Sequence, residues 1–361
     1  MIISIRPWLE DSDRNQDCLP GGGDGLVALT SDAEMEELLQ EAGRLDEWTN
    51  ASRLNRMEFY HLPVLAREVL EALQPGHGKQ FYDGTLGGGG HTELLLSNGA
   101  HVIGSDQDLD SIEYVSKKLS EYGDSFLPVH GNFSRMDELL ASVGVDHVDG
   151  VLLDLGVSSH QLDEAERGFS FRNDGPLDMR MDQSCGMTAA DLVNTADQEE
   201  LIRIFREYGE ENRAYHAAKA IVEARAVKKF ERTSELADVI AKVIHKTGRN
   251  HPATKVFQAL RIAVNDELGV LEVVLEKALK VLPPGGVLAV ITFHSLEDRI
   301  VKQFMRARSE KMLDRPEWPE PKPNPQYCLD LPHRKPKAPQ DDEVDANFRS
   351  RSAKLRVAIK V

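Results

Sequence analysis

Apolar positions in the first half of the chain follow two spacings in turn, which predicts helices that alternate with strands. A spacing of three and four residues over 66–73 and 110–121 indicates amphipathic helices. Short, nearly continuous apolar runs indicate strands buried on both faces, at residues 81–82, 101–105, 125–130 and 148–153. This alternation is typical of an α/β fold with a parallel sheet.

The alternation stops at residue 161, and helical spacing continues to about residue 254. Three segments of this region carry apolar residues three and four apart, at 198–208, 215–227 and 233–245. The α/β pattern resumes with one helical stretch over 257–282 and a strand over 287–293. Alternation over 350–361 predicts an edge strand that closes the sheet. A helical subdomain is therefore predicted inside an α/β domain.

Two segments fall outside these patterns. Residues 1–56 are predicted to be a poorly ordered N-terminal extension, with an acidic helix capped by Ser31. Residues 315–339 contain eight prolines and are predicted to form an extended loop or hairpin arm. The predicted division is an extension, a discontinuous α/β domain and a helical insert, at 1–56, 57–160 with 255–361, and 161–254.

A glycine-rich turn follows the first predicted strand. Asp83 ends that strand, four consecutive glycines occupy residues 87–90, and a leucine-rich helix starts near His91. Glycine permits positive φ angles and lets a ligand approach the backbone closely. A strand, a tight turn and a helix N-terminus in this order indicate a nucleotide-cofactor cradle rather than a flexible linker.

The acidic residue that precedes the glycines limits which class of cofactor can bind there. In the dinucleotide fingerprint the glycines follow the strand directly, and the helix N-terminus receives a pyrophosphate. The carboxylate of Asp83 would repel a pyrophosphate but attracts the positively charged S-adenosylmethionine. Asp106, at the end of the second predicted strand, is placed to accept hydrogen bonds from ribose hydroxyls. These residues favour a methyltransferase over a nicotinamide-dependent oxidoreductase.

Composition and charge limit the classes of partner. The 361 residues are 41% hydrophobic and 29% charged, as in globular proteins, and no apolar run is long enough to span a bilayer. The formal net charge of −17 argues against indiscriminate coating of nucleic acid but permits recognition of one folded RNA through a local basic face. Three distant cysteines, Cys18, Cys185 and Cys328, indicate a reducing cytoplasm and no structural zinc.

Basic residues concentrate in the predicted helical insert. Solvated helix faces and an RNA-facing surface both explain such a cluster, and the sequence leaves the two interpretations open. The cluster comprises Arg203, Arg206, Arg213, Lys219, Arg225, Lys228, Lys229 and Arg232.

Six blocks of residues, in order from about residue 61 to the C-terminus, together resemble one family. The blocks are Asp83-Gly84-Thr85 with the glycines and His91, residues 154–163, residues 166–171, residues 174–181, residues 251–254 and residues 293–299. They resemble the bacterial 16S ribosomal RNA cytosine-N4 methyltransferases of the small-subunit methyltransferase H family. Residues 1–56 lie outside the resemblance.

The resemblance implies a Rossmann-like, S-adenosylmethionine-dependent enzyme. Its substrate would be the exocyclic amine of one cytosine in the decoding region of 16S ribosomal RNA, within the small ribosomal subunit. His160 stands where many members have proline, which leaves the conformation of that loop open. To the family's cofactor contacts we add Asp83, so the expected cofactor-binding residues are Asp83, Gly89, Gly90, His91, Asp106, Phe133, Asp154 and Gln161.

Asp154 is the expected catalytic residue, because it ends a predicted buried strand at the sheet edge where ligands bind. A cytosine amine is a poor nucleophile, since its lone pair is delocalised into the ring. Catalysis must therefore accept hydrogen bonds from the amine and align it with the methyl group and sulfur. We expect Asp154 to bind the amine or the charged end of the cofactor, with a stacking face from Phe169 or Phe171.

Several other residues have two interpretations each. Because the methyl donor is a cationic sulfonium, no strong base is required, and His91 is expected to position the cofactor. Phe133 is either an adenine contact or a core residue, and His294 either a strand-end residue or a site residue. No His, Cys and Asp cluster has metal-ligand spacing, so no metal is predicted.

Three alternatives remain beside the methyltransferase. They are a nicotinamide-dependent oxidoreductase, a non-catalytic ribosome-assembly factor, and the same chemistry on DNA or another RNA. Asp83 ahead of the glycines argues against the first, and intact Asp106 and Asp154 argue against the second. A cytoplasmic enzyme without a membrane partner is expected, and the sequence leaves a monomer and a homodimer equally open.

Overall fold

The computed structural model describes residues 63–245 and 251–361. The predictions for residues 1–56, including Cys18, lie outside these ranges, and the two other cysteines are free thiols. No helix in the described ranges has the length and apolarity needed to cross a membrane.

The described part of the chain contains thirteen α-helices, four 3-10 helices and nine strands. The α-helices are α1 Ala66–Leu73, α2 Gly90–Ser97, α3 Leu109–Lys118, α4 Met136–Ser142, α5 Ser159–Asp163, α6 Ala189–Thr195, α7 Gln198–Glu207, α8 Ala214–Arg225, α9 Thr233–Val243, α10 Thr254–Asn265, α11 Glu267–Val281, α12 Ser295–Ser309 and α13 Asp341–Ala346. The strands are β1 Gln80–Asp83, β2 His101–Asp106, β3 Phe126–His130, β4 Gly150–Asp154, β5 Val287–Thr292, β6 Met312–Leu313, β7 Lys322–Pro323, β8 Leu329–Asp330 and β9 Lys354–Lys360.

Seven of the strands form one sheet in the order β3-β2-β1-β4-β5-β9-β8. Strands β1 to β5 are parallel, and β9 runs antiparallel to β5. The interior strands are apolar throughout because both faces of a parallel sheet are covered; residues 150–153 of β4, for example, are all buried. The predicted α/β fold of the Rossmann-like class is confirmed. Its parallel strands bring their carboxyl ends to a single edge.

Helices cover both faces of the sheet, and adjacent residues of β1 mark the two sides. Phe81 belongs to an apolar cluster formed with α1, α2 and α3, whereas Tyr82 belongs to a cluster formed with α4, α11 and α12. Successive side chains of a strand point to opposite faces, so these are the two faces of one sheet. Both faces of β1 are thereby anchored, which holds the residues at its carboxyl end.

A third apolar cluster lies within the helical region between β4 and β5. Its buried residues come from α6 to α10 and from the segment that precedes α6, with Phe205, Ile221 and Leu260 among them. Helix α10 packs in this cluster, and the sheet cluster starts again with Leu271 in α11. The chain therefore passes from the core of the helical insert to the core beside the sheet near residue 266, whereas the predicted end of the insert is residue 254. The domain boundaries stay a prediction.

The single helix predicted over 257–282 is wrong, because the chain breaks it at Asp266. This residue has φ 46° and ψ 40°, in the left-handed region, which ends α10 and starts α11. Arg261 donates two hydrogen bonds to the carboxylate of Glu267 across the break, at 2.7 and 2.8 Å. One left-handed residue leaves the apolar spacing on either side intact, so periodicity could not locate the break.

The C-terminal strand is not at the edge of the sheet, contrary to the prediction. Strand β9 lies between β5 and the short β8, and Leu329 pairs with Lys360. Strand β8 comes from the proline-rich segment, which was expected to contain no regular element. The predicted hairpin arm is confirmed, since β6 and β7 pair antiparallel at its base. Two-residue strands are too short to carry a periodic signal.

Candidate active site

Three acidic residues meet at the carboxyl edge of the sheet, where β1, β2 and β4 end. Asp83, Asp106 and Asp154 are the last residues of these strands. Thr85 links two of them: its backbone N–H donates to Asp83 Oδ1 at 3.1 Å, and its Oγ1 accepts from the backbone N–H of Asp154 at 2.6 Å. Sequence reasoning gave Thr85 no role, although it lies within the glycine motif. The structure brings the three predicted acids together.

The glycine turn connects this edge to the N-terminus of α2. Gly87 and Gly89 have φ angles of 48° and 74°, so the predicted positive φ angles are confirmed. The backbone N–H of Gly87 donates to Asp106 Oδ2 at 2.8 Å. A Cβ on Gly89 would lie 2.7 Å from Val115 Cγ1, so this glycine also lets α2 pack against α3. Gly90 begins α2, whose first backbone N–H groups have no partner within the helix.

Asp83 is buried and holds the turn in place. Its Oδ2 accepts a hydrogen bond from Thr92 Oγ1 at 2.7 Å. Burial raises the pKa of Asp83, and the nearby Asp154 carboxylate adds to this effect, while His91 and the bond from Thr92 oppose it. Among the described residues, no lysine or arginine pairs with this buried carboxylate, which favours a positively charged ligand.

His91 and Asp154 carry polar atoms that the rest of the described chain leaves unpaired. His91 Nε2 lies 3.6 Å from Asp154 Oδ2. Both ring nitrogens of His91 and the Oδ1 atom of Asp154 are buried and have no hydrogen-bond partner among the described residues. Buried polar atoms in native proteins are nearly always hydrogen-bonded. These atoms therefore fit the polar groups of a ligand that binds at this edge.

Asp106 is placed to accept hydrogen bonds from a ligand. Besides Gly87, it accepts from the backbone N–H of Asp108, at 2.9 Å to Oδ1. Burial raises the pKa of Asp106 from 3.8 to about 6, and these two backbone bonds partly oppose the rise. Each carboxylate oxygen has two lone pairs, so each can accept one more hydrogen bond. The Asp106 carboxylate can thus accept two further hydrogen bonds, one from each of two ribose hydroxyls.

Both polar atoms of the Gln161 side chain form hydrogen bonds with other residues of the protein. Its Oε1 accepts from the backbone N–H of Ser158 at 3.0 Å, in a capping box at the start of α5. Its Nε2 donates to Asp108 Oδ2 at 2.8 Å. These bonds fix the loop after β4 against the loop after β2, and a direct cofactor contact by Gln161 stays a prediction.

A small cavity opens beside the glycine turn, and Phe133 is part of its wall. Phe133 also packs against the sheet core, so its two predicted roles are compatible. Phe169 is buried in the core of the helical insert and offers no free stacking face, whereas Phe171 is half-buried with its ring against His251 and Phe257. The cavity is lined by Thr85, Gln107, Phe133, Leu155, Gly156, Met181, Asn265, Glu267, Val270 and Glu297.

The opposite wall of the cavity contains a set of charged groups that lie against one another. His294 is the N-cap of α12, and its Nε2 atom lies 3.0 Å from Glu297 Oε1. Glu297 Oε2 accepts from the backbone N–H of Phe293 at 2.8 Å. Burial alone would raise the pKa of Glu297, but the hydrogen bond and charge of His294 and the charge of Arg261 lower it. His294 thus caps α12 at the strand end, but its buried Nε2 has no hydrogen-bond partner among the described residues, so a role in the site stays a prediction.

These residues include the one group in the described ranges whose spacing could suit a metal ion. Ligand atoms of Glu267, His294 and Glu297 lie within 4.8 Å of one another. Both carboxylate oxygens of Glu267 accept from Arg261, whose guanidinium already supplies the positive charge at this position. A cation there would be repelled by Arg261. We therefore assign no metal to this cluster.

Half of the basic cluster of the insert is paired with neighbouring acids. Arg203 pairs with two glutamates on its own helix, and Arg225 donates to the carbonyl of Val193 at 2.7 Å. Solvated, salt-bridged helix faces thus account for much of the cluster. The other ion pairs are Lys219 with Glu223, Lys228 with Glu235 and Arg232 with Asp174.

Comparison with known proteins agrees with the geometry of this edge. The MraW methylase family matches residues 58–361. A protein of Carboxydothermus hydrogenoformans called Ribosomal RNA small subunit methyltransferase H is 48% identical over 308 residues, which cover 84% of this chain and 99% of that protein. A protein of the same name from Geobacter sulfurreducens is 51% identical over 311 residues, covering 84% of this chain and 100% of that protein.

Among solved structures, an rRNA methylase from Streptococcus thermophilus matches with a TM-score of 0.37 and 11% identity, covering 84% of this chain and 99% of that one. A SAM-dependent O-methyltransferase from Thermotoga maritima matches with a TM-score of 0.35 and 9% identity, covering 86% of this chain and 69% of that one. The assignment rests on the sequence relatives, which span nearly the whole described chain at about half identity. This chain is a methyltransferase that belongs to the MraW methylase family.

Proposed function

We propose that this chain transfers a methyl group from S-adenosylmethionine to the N4 amine of one cytosine in the decoding region of 16S ribosomal RNA. The names of the relatives support ribosomal RNA of the small subunit as substrate. The choice of a cytosine amine rests on the family resemblance and on Asp154. The observation that carries it is the buried, unpaired Oδ1 of Asp154, an acceptor at the edge where the strands end.

The cofactor would lie across the carboxyl ends of β1, β2 and β4. The N-terminus of α2, with Gly89, Gly90 and His91, would face its amino-acid end, and Asp106 would accept from its ribose hydroxyls. Asp83, buried behind the turn, adds negative charge that favours the cationic sulfur. Phe133 in the cavity wall would contact the adenine, with Gln161 fixing the adjoining loop.

When bound, S-adenosylmethionine supplies an activated methyl group on a positively charged sulfur. The chain must supply orientation: Asp154 accepts a hydrogen bond from one N–H of the cytosine amine, which turns the nitrogen lone pair towards the methyl carbon. Transfer of the methyl group to the nitrogen would leave the cofactor as a neutral thioether, and the proton that the methylated nitrogen loses would pass to the Asp154 carboxylate and from there to water. Thr85 holds the backbone of Asp154, so the acceptor is positioned before the substrate arrives.

The experiment is methyl transfer from labelled S-adenosylmethionine to small ribosomal subunits from a strain that lacks this gene. Digestion to nucleosides identifies the product, and we expect label in N4-methylcytidine. Subunits from the parent strain, whose target is already methylated, serve as the control and should accept little label. Label in another nucleoside, or in neither set of subunits while the cofactor still binds, would contradict the proposal.

We further propose that the reaction takes place in the cytoplasm and that the helical insert contributes to RNA recognition. The second point rests on the basic side chains of the insert for which the described residues give no acidic partner. Arg225 is one of them but donates to the carbonyl of Val193, which leaves Arg206, Arg213 and Lys229. Replacing these three by alanine together should weaken subunit binding in a salt-dependent manner. Cofactor affinity of the same variant should stay at the parent value.

A further inference from the structure

A buried arginine of the helical insert reaches the cofactor edge of the sheet. Arg167 is only 4% exposed and is the last residue of a short 3-10 helix, Ala165–Arg167, that precedes α6. Its Nη1 donates to Asp108 Oδ2 at 2.6 Å, and its Nη2 donates to the backbone carbonyls of Arg180 and Met181 at 3.2 and 3.0 Å. One side chain thus joins the loop after β2 to the body of the insert.

The segment that carries Arg167 is held firmly by its own packing. The carbonyl of Arg167 accepts from the backbone N–H of Met179 at 3.1 Å. Gly168 has φ 73°, and a Cβ on it would lie 2.2 Å from the carbonyl oxygen of Pro176. Asn265 closes the same region, accepting from the backbone N–H of Met181 and donating to the carbonyl of Met179, both at 2.8 Å. Arg167 therefore projects from a rigid support.

At its other end, the interaction reaches the residue expected to bind the ribose. Asp108 is 3% exposed and is the N-cap of α3, where its side chain accepts from the backbone N–H of Asp110. The backbone N–H of Asp108 in turn donates to Asp106 Oδ1 at 2.9 Å. The position of the Asp106 carboxylate thus depends on where Asp108 sits. Asp108 is fixed by Arg167 and by Gln161.

We propose that Arg167 is a positioning residue for cofactor binding, which acts through Asp108 on Asp106. This inference rests on the proposed use of S-adenosylmethionine. Without the guanidinium, the buried Asp108 carboxylate would lose its cationic partner. Its negative charge would then repel that of the neighbouring Asp106 carboxylate. The loop after β2 would then shift, and Asp106 would accept less well from ribose hydroxyls.

The test is the dissociation constant of S-adenosylmethionine, measured by calorimetry without RNA on Arg167→Met and Arg167→Lys. We expect Arg167→Met to raise it by about tenfold or more and Arg167→Lys, which keeps the charge but loses the carbonyl contacts, by about threefold. Under turnover, KM for S-adenosylmethionine should rise by a similar factor, while kcat at saturation and KM for the ribosomal subunit change less than about twofold.

A matched control separates positioning from loss of stability. Arg356 and Asp298 form another largely buried ion pair, at 2.7 Å and with side chains 10% and 14% exposed, on β9 and α12. Arg356→Met should lower the melting temperature as Arg167→Met does, but leave the dissociation constant of the cofactor within about twofold of the parent.

Each outcome decides the question. Parent-like cofactor affinity in Arg167→Met overturns the inference, and so does an equal loss of affinity in Arg356→Met. If Arg167→Met does not fold, parent-like affinity in Arg167→Lys overturns it, and a reduced affinity with retained melting temperature supports it. A parent protein that binds the cofactor but methylates no cytosine contradicts the proposed substrate alone, since these binding measurements contain no RNA.

Discussion

The two walls of the candidate site are both rich in carboxylates, yet they differ in how the charges are balanced. On the sheet edge, Asp83 is buried and Asp106 half-buried, neither is paired with a lysine or arginine of the described residues, and desolvation raises the pKa of each. On the opposite wall, Glu267 and Glu297 are balanced by Arg261 and His294, and the pKa of Glu297 is lowered.

This difference distinguishes a binding surface from a structural network. A carboxylate whose charge is uncompensated is costly in the free protein and gains when a cationic or hydrogen-bond-donating ligand arrives. A carboxylate already paired by arginine or histidine gains little from a ligand and is costly to disrupt. We therefore expect changes on the sheet edge to alter turnover and cofactor affinity, and changes on the opposite wall to alter stability.

The largest effect is expected at Asp154. Asp154→Ala removes the unpaired acceptor Oδ1, and turnover with ribosomal subunits should fall by about 100-fold or more, as on removal of one well-placed transition-state contact. Single-turnover kinetics at saturating cofactor measure this directly. Asp154→Asn keeps an oxygen acceptor and should be less impaired. Turnover of Asp154→Ala within about threefold of the parent would contradict a catalytic role.

The next effect is a pH dependence of cofactor affinity from Asp106, whose pKa burial raises to about 6. Ribose hydroxyls donate to the ionised carboxylate, so below about pH 6 affinity should fall by up to tenfold per pH unit. Calorimetric titration across this range measures it. Asp106→Asn should bind more weakly at high pH and show a flatter profile. A parent profile as flat as that of Asp106→Asn would contradict this role for Asp106.

The Asp106 carboxyl group also makes the stability of the folded protein depend on pH. Its pKa rises from 3.8 in the ordinary case to about 6 in the folded protein, so between these values the folded chain holds a proton that the unfolded chain has released. The contribution of Asp106 to stability is therefore greatest at low pH and is lost as pH rises through about 6. The cofactor, which favours the ionised form, opposes this loss.

The smallest effect on the chemistry is expected at Glu297. Glu297→Gln keeps the shape but weakens the bonds from Phe293 and His294, which should lower the free energy of unfolding by about 1–3 kcal/mol in urea titrations. Cofactor affinity should stay within about twofold of the parent. Glu310→Gln, at the exposed pair with Arg306, is the matched control and should change stability little. A loss of affinity in Glu297→Gln comparable to that in Asp106→Asn would erase the distinction between the walls.

The α/β architecture and the positions of the key acids can be predicted from the residues alone. Strand ends can be located from short apolar runs, and a residue at the carboxyl end of a parallel strand must reach the ligand-binding edge of the sheet. That reasoning was enough to bring Asp83, Asp106 and Asp154 to one edge, where the structure has them. Positive φ angles in the glycine turn followed from residue type alone.

Which carboxylates are paired with a cation depends on contacts between distant parts of the chain. Arg167 lies 59 residues from Asp108, and its contact depends on how the insert folds against the sheet. Arg261 reaches Glu267 only because one left-handed residue, Asp266, turns the chain between two helices of continuous apolar spacing. Periodicity records which face of a helix or strand is buried, but partners distant in sequence are set by packing, which a local pattern does not contain.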